Sequence, residues 1–97
     1  MVENARPLDG IRVLEMGQLI AGPFAGCILA YFGAEVIKLE PLSGDPLRRW
    51  RELDEDGNSF WWASMGRNKK SITVNLKTEE GKEIVRKLAP NVDVIIE

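Results

Sequence analysis

The stretch IRVLEMGQLIAGPFAGCILAYFGAEVIKLE, residues 11–40, decides the fold. Ile11–Glu15 is a short apolar, β-rich run that stops before Gly17, which predicts a strand. Pro23–Phe32 predicts a helix: Phe24, Ile28, Leu29 and Phe32 recur at helical spacing, and most of the positions between them are small. A proline at the start of a helix lacks only an N–H that would be unsatisfied there anyway. A helix this apolar is expected to be buried on more than one side, and Gly33 ends it. Ala34–Glu40 reads as a second strand. Residues 11–40 therefore form a βαβ unit, with parallel strands and a right-handed crossover.

Downstream, Ser71–Leu76 alternates Ile72, Val74 and Leu76 on one face and reads as a third strand. Thr78 is placed to cap a helix running to about Ala89. Its first turn carries Glu79 and Glu80, and its last carries Arg86 and Lys87, which suits the helix dipole at both ends. Ile84, Val85 and Leu88 form its inward stripe, and Pro90 terminates it. Val92–Ile96 is a fourth strand, buried by its composition. Residues 71–97 thus form a second βαβ unit, and residues 41–70 an irregular aromatic and charged connection. Short helical turns are expected there, with Trp50, Phe60, Trp61 and Trp62 packing on something beyond the segment, because 30 residues of bare loop are too many.

Composition narrows the function. The chain has 97 residues, 13 Lys+Arg against 15 Asp+Glu, one cysteine (Cys27) and no histidine. Intramolecular disulfides, Cys/His zinc sites and Ser-His or Cys-His machinery are excluded. A net charge of −2 disfavours a nucleic-acid partner. Met1–Gly10 has neither a basic n-region nor an apolar h-region, so the expected address is cytoplasmic. Met16–Ala34 is uncharged, but its glycines and Pro23 interrupt the apolar span, and no membrane partner is expected.

Four groups could carry chemistry. Gly17–Pro23, between the first strand and its helix, is a glycine-bracketed turn where parallel sheets bind ligands, although G-x-G-x-x-G is absent. Packing alone would also explain Gly22 and Gly26. Glu40 ends the second strand where nucleotide-binding units keep an acidic residue, and a solvated carboxylate is the simpler reading. Asp54, Glu55 and Asp56 read as a solvated turn that Arg48, Arg49 and Arg51 could neutralise. Arg67-Asn68-Lys69-Lys70 reads as a basic surface loop that could also meet phosphates.

Taken together, LDGIRVLEMGQLIAGPFAGCILAYFGAEVIKLEP, GDPLRRW, GRNKKSITVNLKTEEGKEIVRKL and DVIIE resemble the start of the class III coenzyme A transferases, the family of formyl-CoA and carnitine CoA-transferases and of the α-methylacyl-CoA racemases. Members are several times longer, so the resemblance makes residues 1–97 the N-terminal part of a larger Rossmann-like α/β domain. It implies exchange of CoA between an acyl-CoA thioester and a free carboxylic acid through an aspartate nucleophile. That aspartate lies beyond Glu97, so no catalytic residue is assigned. It implies CoA contacts at Leu19, Ile20 and Ala21, mainly through backbone, and at Val74, Asn75, Leu76 and Lys77, which frame the adenine end. It implies no metal, and an interlocked homodimer when full length, the remainder of the enzyme coming from further polypeptide or a second chain. Two departures stand out: Ile20 replaces a mobile glutamine, and Pro41 replaces the arginine that packs on the adenine. The long GDPLRRW…SFWWASMGRNKKS connection matches the transferases rather than the racemases. The chain alone is expected to be inactive, and a non-catalytic fragment is the alternative reading.

Overall fold

The computed structural model describes residues 5–97. Residues 1–4, the start of the stretch read above as lacking a targeting signal, lie outside it. Four parallel strands form one sheet: β1 (Arg12–Glu15), β2 (Glu35–Glu40), β3 (Lys69–Thr73) and β4 (Val94–Ile96), in the order β3-β2-β1-β4. Helix α1 (Ala21–Tyr31) joins β1 to β2, and α3 (Glu79–Leu88) joins β3 to β4. A 3-10 turn at Pro46–Arg49 and a short helix, α2 (Phe60–Met65), lie between β2 and β3. The α/β class read from the sequence is the one observed. The strand order reverses at β1, so the switch point of the sheet lies between β1 and β4.

Alternation along the strands sorts the core into two layers. Val13 and Val36 pack with Ala30 and Ala34 on the α1 side, while Leu14, Leu39 and Val74 pack with Val85 and Leu88 on the α3 side. Thr78 caps α3 as expected, its Oγ1 accepting the Gly81 N–H at 3.1 Å. Gly33 follows α1 with φ +110°, the left-handed conformation that glycine adopts without penalty.

Six expectations need correction. Helix α1 begins at Ala21, so Pro23 is third in the helix; it still lies within the first turn, where an N–H has no intrahelical acceptor. The helix is buried on one side only, through Gly22, Pro23, Gly26, Cys27 and Ala30, while Phe24, Ile28 and Tyr31 stay exposed. The small residues allow close approach to the sheet, and that turns the large ones outward. Strand β3 starts at Lys69 and ends at Thr73, because Lys69 and Lys70 pair with Val36 and Ile37 of β2, and Asn75 O turns the chain by accepting from Thr78. Strand β4 is shorter than Val92–Ile96 and half-exposed at Val94 and Ile95, because it pairs only with β1 and forms a sheet edge. Ile84 points outward beside the inward Val85 and Leu88. The aromatic connection also finds partners of its own: Trp50 and Trp61 lie 4.8 Å apart, and the Arg48 guanidinium sits 4.0 Å above Trp62, leaving Phe60 exposed.

Gly81 sets the approach of α3 to the loop before it. A Cβ there would stand 1.9 Å from the Asn75 carbonyl oxygen, which is backbone and cannot rotate away. Gly81→Ala is expected to destabilise the full-length protein by about 2 kcal/mol. Lys82→Ala beside it should change stability by less than about 0.5 kcal/mol. Thermal melts of the two variants check both.

Candidate functional site

The turn between β1 and α1 sits at the carboxyl end of the sheet, beside the switch point. The Met16 N–H donates to Ile96 O of β4 at 2.8 Å. Gly17 and Gly22 face each other so closely that a Cβ on Gly22 would stand 2.8 Å from the Gly17 Cα, and one on Gly17 would stand 3.5 Å from the Glu97 carbonyl carbon. Between them Leu19 adopts φ +69°. A branched side chain in that region costs about 1 kcal/mol or more and persists only where neighbours hold it. Its N–H donates to Asp45 Oδ1 at 3.1 Å, and the Gly17 carbonyl accepts from Lys38 Nζ at 3.2 Å.

Beneath the turn lies a buried ionic network that the sequence did not announce. Lys38 Nζ is 2.6 Å from both Glu15 Oε2 and Asp45 Oδ2, and Lys69 Nζ is 2.7 Å from Glu15 Oε1. All four side chains are at most 2% exposed. Lys69 also donates to the Pro23 carbonyl at 2.8 Å. Glu15 Oε1 and Asp45 Oδ2 meet their lysines as charges and not along aligned hydrogen bonds. Two cations and two anions leave no net charge, which is the condition for burying any of them. Gly26 supplies the room, since a Cβ there would fall 1.9 Å from Glu15 Oε1. Burial lowers the affinity of Lys69 for its proton, an effect that Lys38 reinforces and Glu15 only partly offsets.

Glu40 is not the solvated strand-end carboxylate expected of it, nor does it face a ribose. It is 2% exposed and takes a bidentate grip from Arg48, with both contacts at 2.6 Å. It also accepts from the Asp45 N–H at 2.8 Å and from the Ser71 hydroxyl. Burial alone would raise its pKa. The hydrogen bonds from Arg48, Asp45 and Ser71, with the Arg48 charge, win and hold it at about 2. The same pairing raises Arg48. Arg48 is thus spent on Glu40, Arg51 lies over Trp50 and Trp61, and neither neutralises the 54–56 run. The basic cluster is likewise divided, because Lys69 points into the ionic network while Lys70 stays at the surface.

The residues singled out from the sequence fall on two neighbouring surfaces. Val74, Asn75, Leu76 and Lys77 line a cleft of about 200 Å³ with Met16, Gln18, Leu39, Pro41 and Leu42, at the carboxyl ends of β1, β2 and β3. Leu19 and Ile20 line a separate apolar hollow of about 150 Å³ with Phe24, Trp61 and Met65. Ala21 opens α1 and lines neither. A larger hollow, about 740 Å³, lies at the amino ends of the strands. There Arg6 pairs with Asp9, Arg12 and Lys70 both meet Glu35, and Asp93 accepts from the Arg12 N–H at 2.8 Å; parallel sheets seldom bind ligands at that end. Among the described residues no cluster of His, Cys, Asp and Glu could hold a metal ion, and no helix is long and apolar enough to cross a membrane. Sequence reasoning missed Glu15, Lys38 and Asp45, and it took Lys69 for part of a basic surface loop. The only available signal was parity: Glu15, Lys38 and Glu40 continue the inward alternation of Val13 and Val36.

A carboxylate held at about 2 against an ordinary 4.5 contributes about 3 kcal/mol at neutral pH. Because the folded-state value is depressed, that contribution is complete above about pH 4.5 and is lost as pH falls toward 2. Glu40→Gln is expected to lower stability by about 3 kcal/mol at pH 7 and to flatten the loss between pH 4.5 and 2, as read by denaturation across that range.

Comparison with known proteins places this geometry. The sequence model of CoA-transferase family III matches residues 8–97. The chain is 54% identical over 93 residues to a succinyl-CoA–D-citramalate CoA-transferase from Chloroflexus aurantiacus, covering 95% of this chain and 23% of that protein. It is 42% identical over 97 residues to the human succinyl-CoA:glutarate CoA-transferase, covering 99% of this chain and 22% of that protein. A solved CAIB/BAIF family protein from Brucella suis superposes with a TM-score of 0.85 at 40% identity, over 94% of this chain and 25% of that one. The chain therefore spans about a quarter of the length of the proteins it matches. With matching fold and with sequence matching from residue 8 to residue 97, the chain belongs to CoA-transferase family III.

Proposed function

We propose that this chain supplies part of the coenzyme A-binding region of a CoA-transferase that moves CoA between an acyl-CoA thioester and a free carboxylic acid. The observation that carries this is the cleft at the carboxyl ends of β1–β3, where the turn after β1 and the segment Val74–Lys77 share one wall. Leu19 and Ile20 line the apolar hollow beside it, and Ala21 opens α1. Helix α1 begins there with no side-chain cap and no acidic residue in its first turn. Free N–H groups and the positive end of the helix dipole favour an anion such as a pyrophosphate. Lys77 is exposed, forms no ion pair among the described residues, and can reach a phosphate. Pro41 offers an apolar edge where the family's arginine would stack, so the adenine is held from the Val74–Lys77 side.

The nucleophile comes from further polypeptide. A carboxylate that attacks a thioester must reach its carbonyl carbon and be free to form a bond. At the ends of β1 and β2 and in the loop after β2, Glu15, Glu40 and Asp45 are each buried and held by cations or backbone donors. The exposed apolar residues of α1, namely Phe24, Ile28 and Tyr31, offer that polypeptide or a second chain a surface to cover. An interlocked homodimer and a cytoplasmic address complete the reading. The connection at residues 41–70 favours a transferase over a racemase.

Two measurements test the proposal. Calorimetry on the full-length protein should show CoA binding, and Gly22→Val should weaken it at least tenfold while lowering the melting temperature, since the added side chain meets the Gly17 Cα. The 97-residue chain alone, given succinyl-CoA and a panel of dicarboxylates, should form no new thioester by mass spectrometry. No detectable CoA binding by the full-length protein, or turnover by the purified 97-residue chain, overturns it.

A further inference from the structure

We propose that the buried Lys38–Asp45 ion pair is a positioning clamp that holds the β1–α1 turn in the conformation that receives coenzyme A. The inference rests on the reading that CoA binds at this turn.

The pair grips the turn at two points. The cation donates to a carbonyl, Lys38 Nζ to Gly17 O at 3.2 Å, and the anion accepts from an N–H, Asp45 Oδ1 from Leu19 N at 3.1 Å. The ammonium and carboxylate are themselves 2.6 Å apart. Charge and backbone polarity match at both points, and charged partners make the stronger hydrogen bonds. Directly after the second grip the backbone takes the left-handed step at Leu19, with φ +69°. No glycine is there to take it freely, so the conformation has to be imposed from outside.

Each half of the clamp is braced in turn. Asp45 caps the following 3-10 turn through Leu47 N at 2.9 Å, and its own N–H is tied to Glu40 Oε1 at 2.8 Å. Lys38 is anchored on its other side by Glu15, which Lys69 also meets. The turn thus takes its geometry from β2 and from the loop after it. Neither residue touches the bound ligand's expected path, so Asp45 acts through Leu19 as a positioning residue.

The test uses the full-length protein and coenzyme A as titrant, with affinity from calorimetry and folding from thermal melts. Asp45→Ala removes both the acceptor and the charge, and affinity should fall at least tenfold in protein that remains folded at the assay temperature. Asp45→Asn keeps a carbonyl acceptor for the Leu19 N–H, and it should keep more affinity than Asp45→Ala. Adding Leu19→Gly to Asp45→Ala lets the turn adopt the left-handed step without the clamp, and should recover part of the lost affinity. A merely structural role for Asp45 predicts no such recovery, because Leu19→Gly adds no packing. Folded Asp45→Ala that binds CoA as tightly as the unaltered protein overturns the clamp, as does a loss that Leu19→Gly leaves untouched. Should Asp45→Ala fail to fold, Asp45→Asn decides: with folding intact, a loss of affinity that added Leu19→Gly partly restores supports the clamp, and unaltered affinity or a loss that Leu19→Gly leaves untouched overturns it. Unaltered protein that does not bind CoA defeats the functional reading itself, which separates the two failures.

Discussion

Charge neutrality inside the α1 side of the sheet is the constraint on which the rest depends. Glu15, Lys38, Asp45 and Lys69 are removed from water together, and removing any one partner from such a group typically costs about 3–5 kcal/mol because an unpaired charge stays behind. The four come from β1, β2, the loop after β2, and β3. The network therefore acts as a crosslink among segments that lie far apart in the chain, Glu15 and Lys38 being 23 residues apart. It also divides the sheet into an apolar amino end at Val13 and Val36 and an ionic carboxyl end.

Glycine makes that arrangement possible. Helix α1 lies close enough to cover Glu15 only because Gly26 carries no side chain, and the turn before it closes only because Gly17 and Gly22 face each other. The same close approach leaves Phe24, Ile28 and Tyr31 on the outer side of the helix. One local choice, small residues toward the sheet, thus buries the charges, shapes the turn and creates the outward apolar face. The tryptophans of the connection play a comparable part at the edge of the site, where Arg48 lies against Trp62 while it holds Glu40.

The site follows from topology and from this chemistry together. Parallel strands in the order β3-β2-β1-β4 put the carboxyl ends of β1–β3 and the start of α1 on one rim. The cleft at that rim is mainly apolar, and the buried charges of the ionic network lie paired beneath the turn. The chain belongs to CoA-transferase family III and covers about a quarter of the length of its relatives.

The sequence by itself determined the βαβ unit at residues 11–40, the Thr78 cap, the Gly33 stop and the family, because each rests on local spacing or on motifs in order. It also pointed to Leu19–Ala21 and Val74–Lys77 by resemblance. Only the tertiary structure decided that Glu15, Lys38, Glu40 and Lys69 lie inside. A charged residue in an alternating strand reads as solvent-facing, and what reverses that reading is a partner from a distant part of the chain. Glu15 meets Lys38 across 23 residues, and Glu40 meets Ser71 across 31. Burial of a charge depends on whether another charge arrives beside it, and folding alone brings the two together.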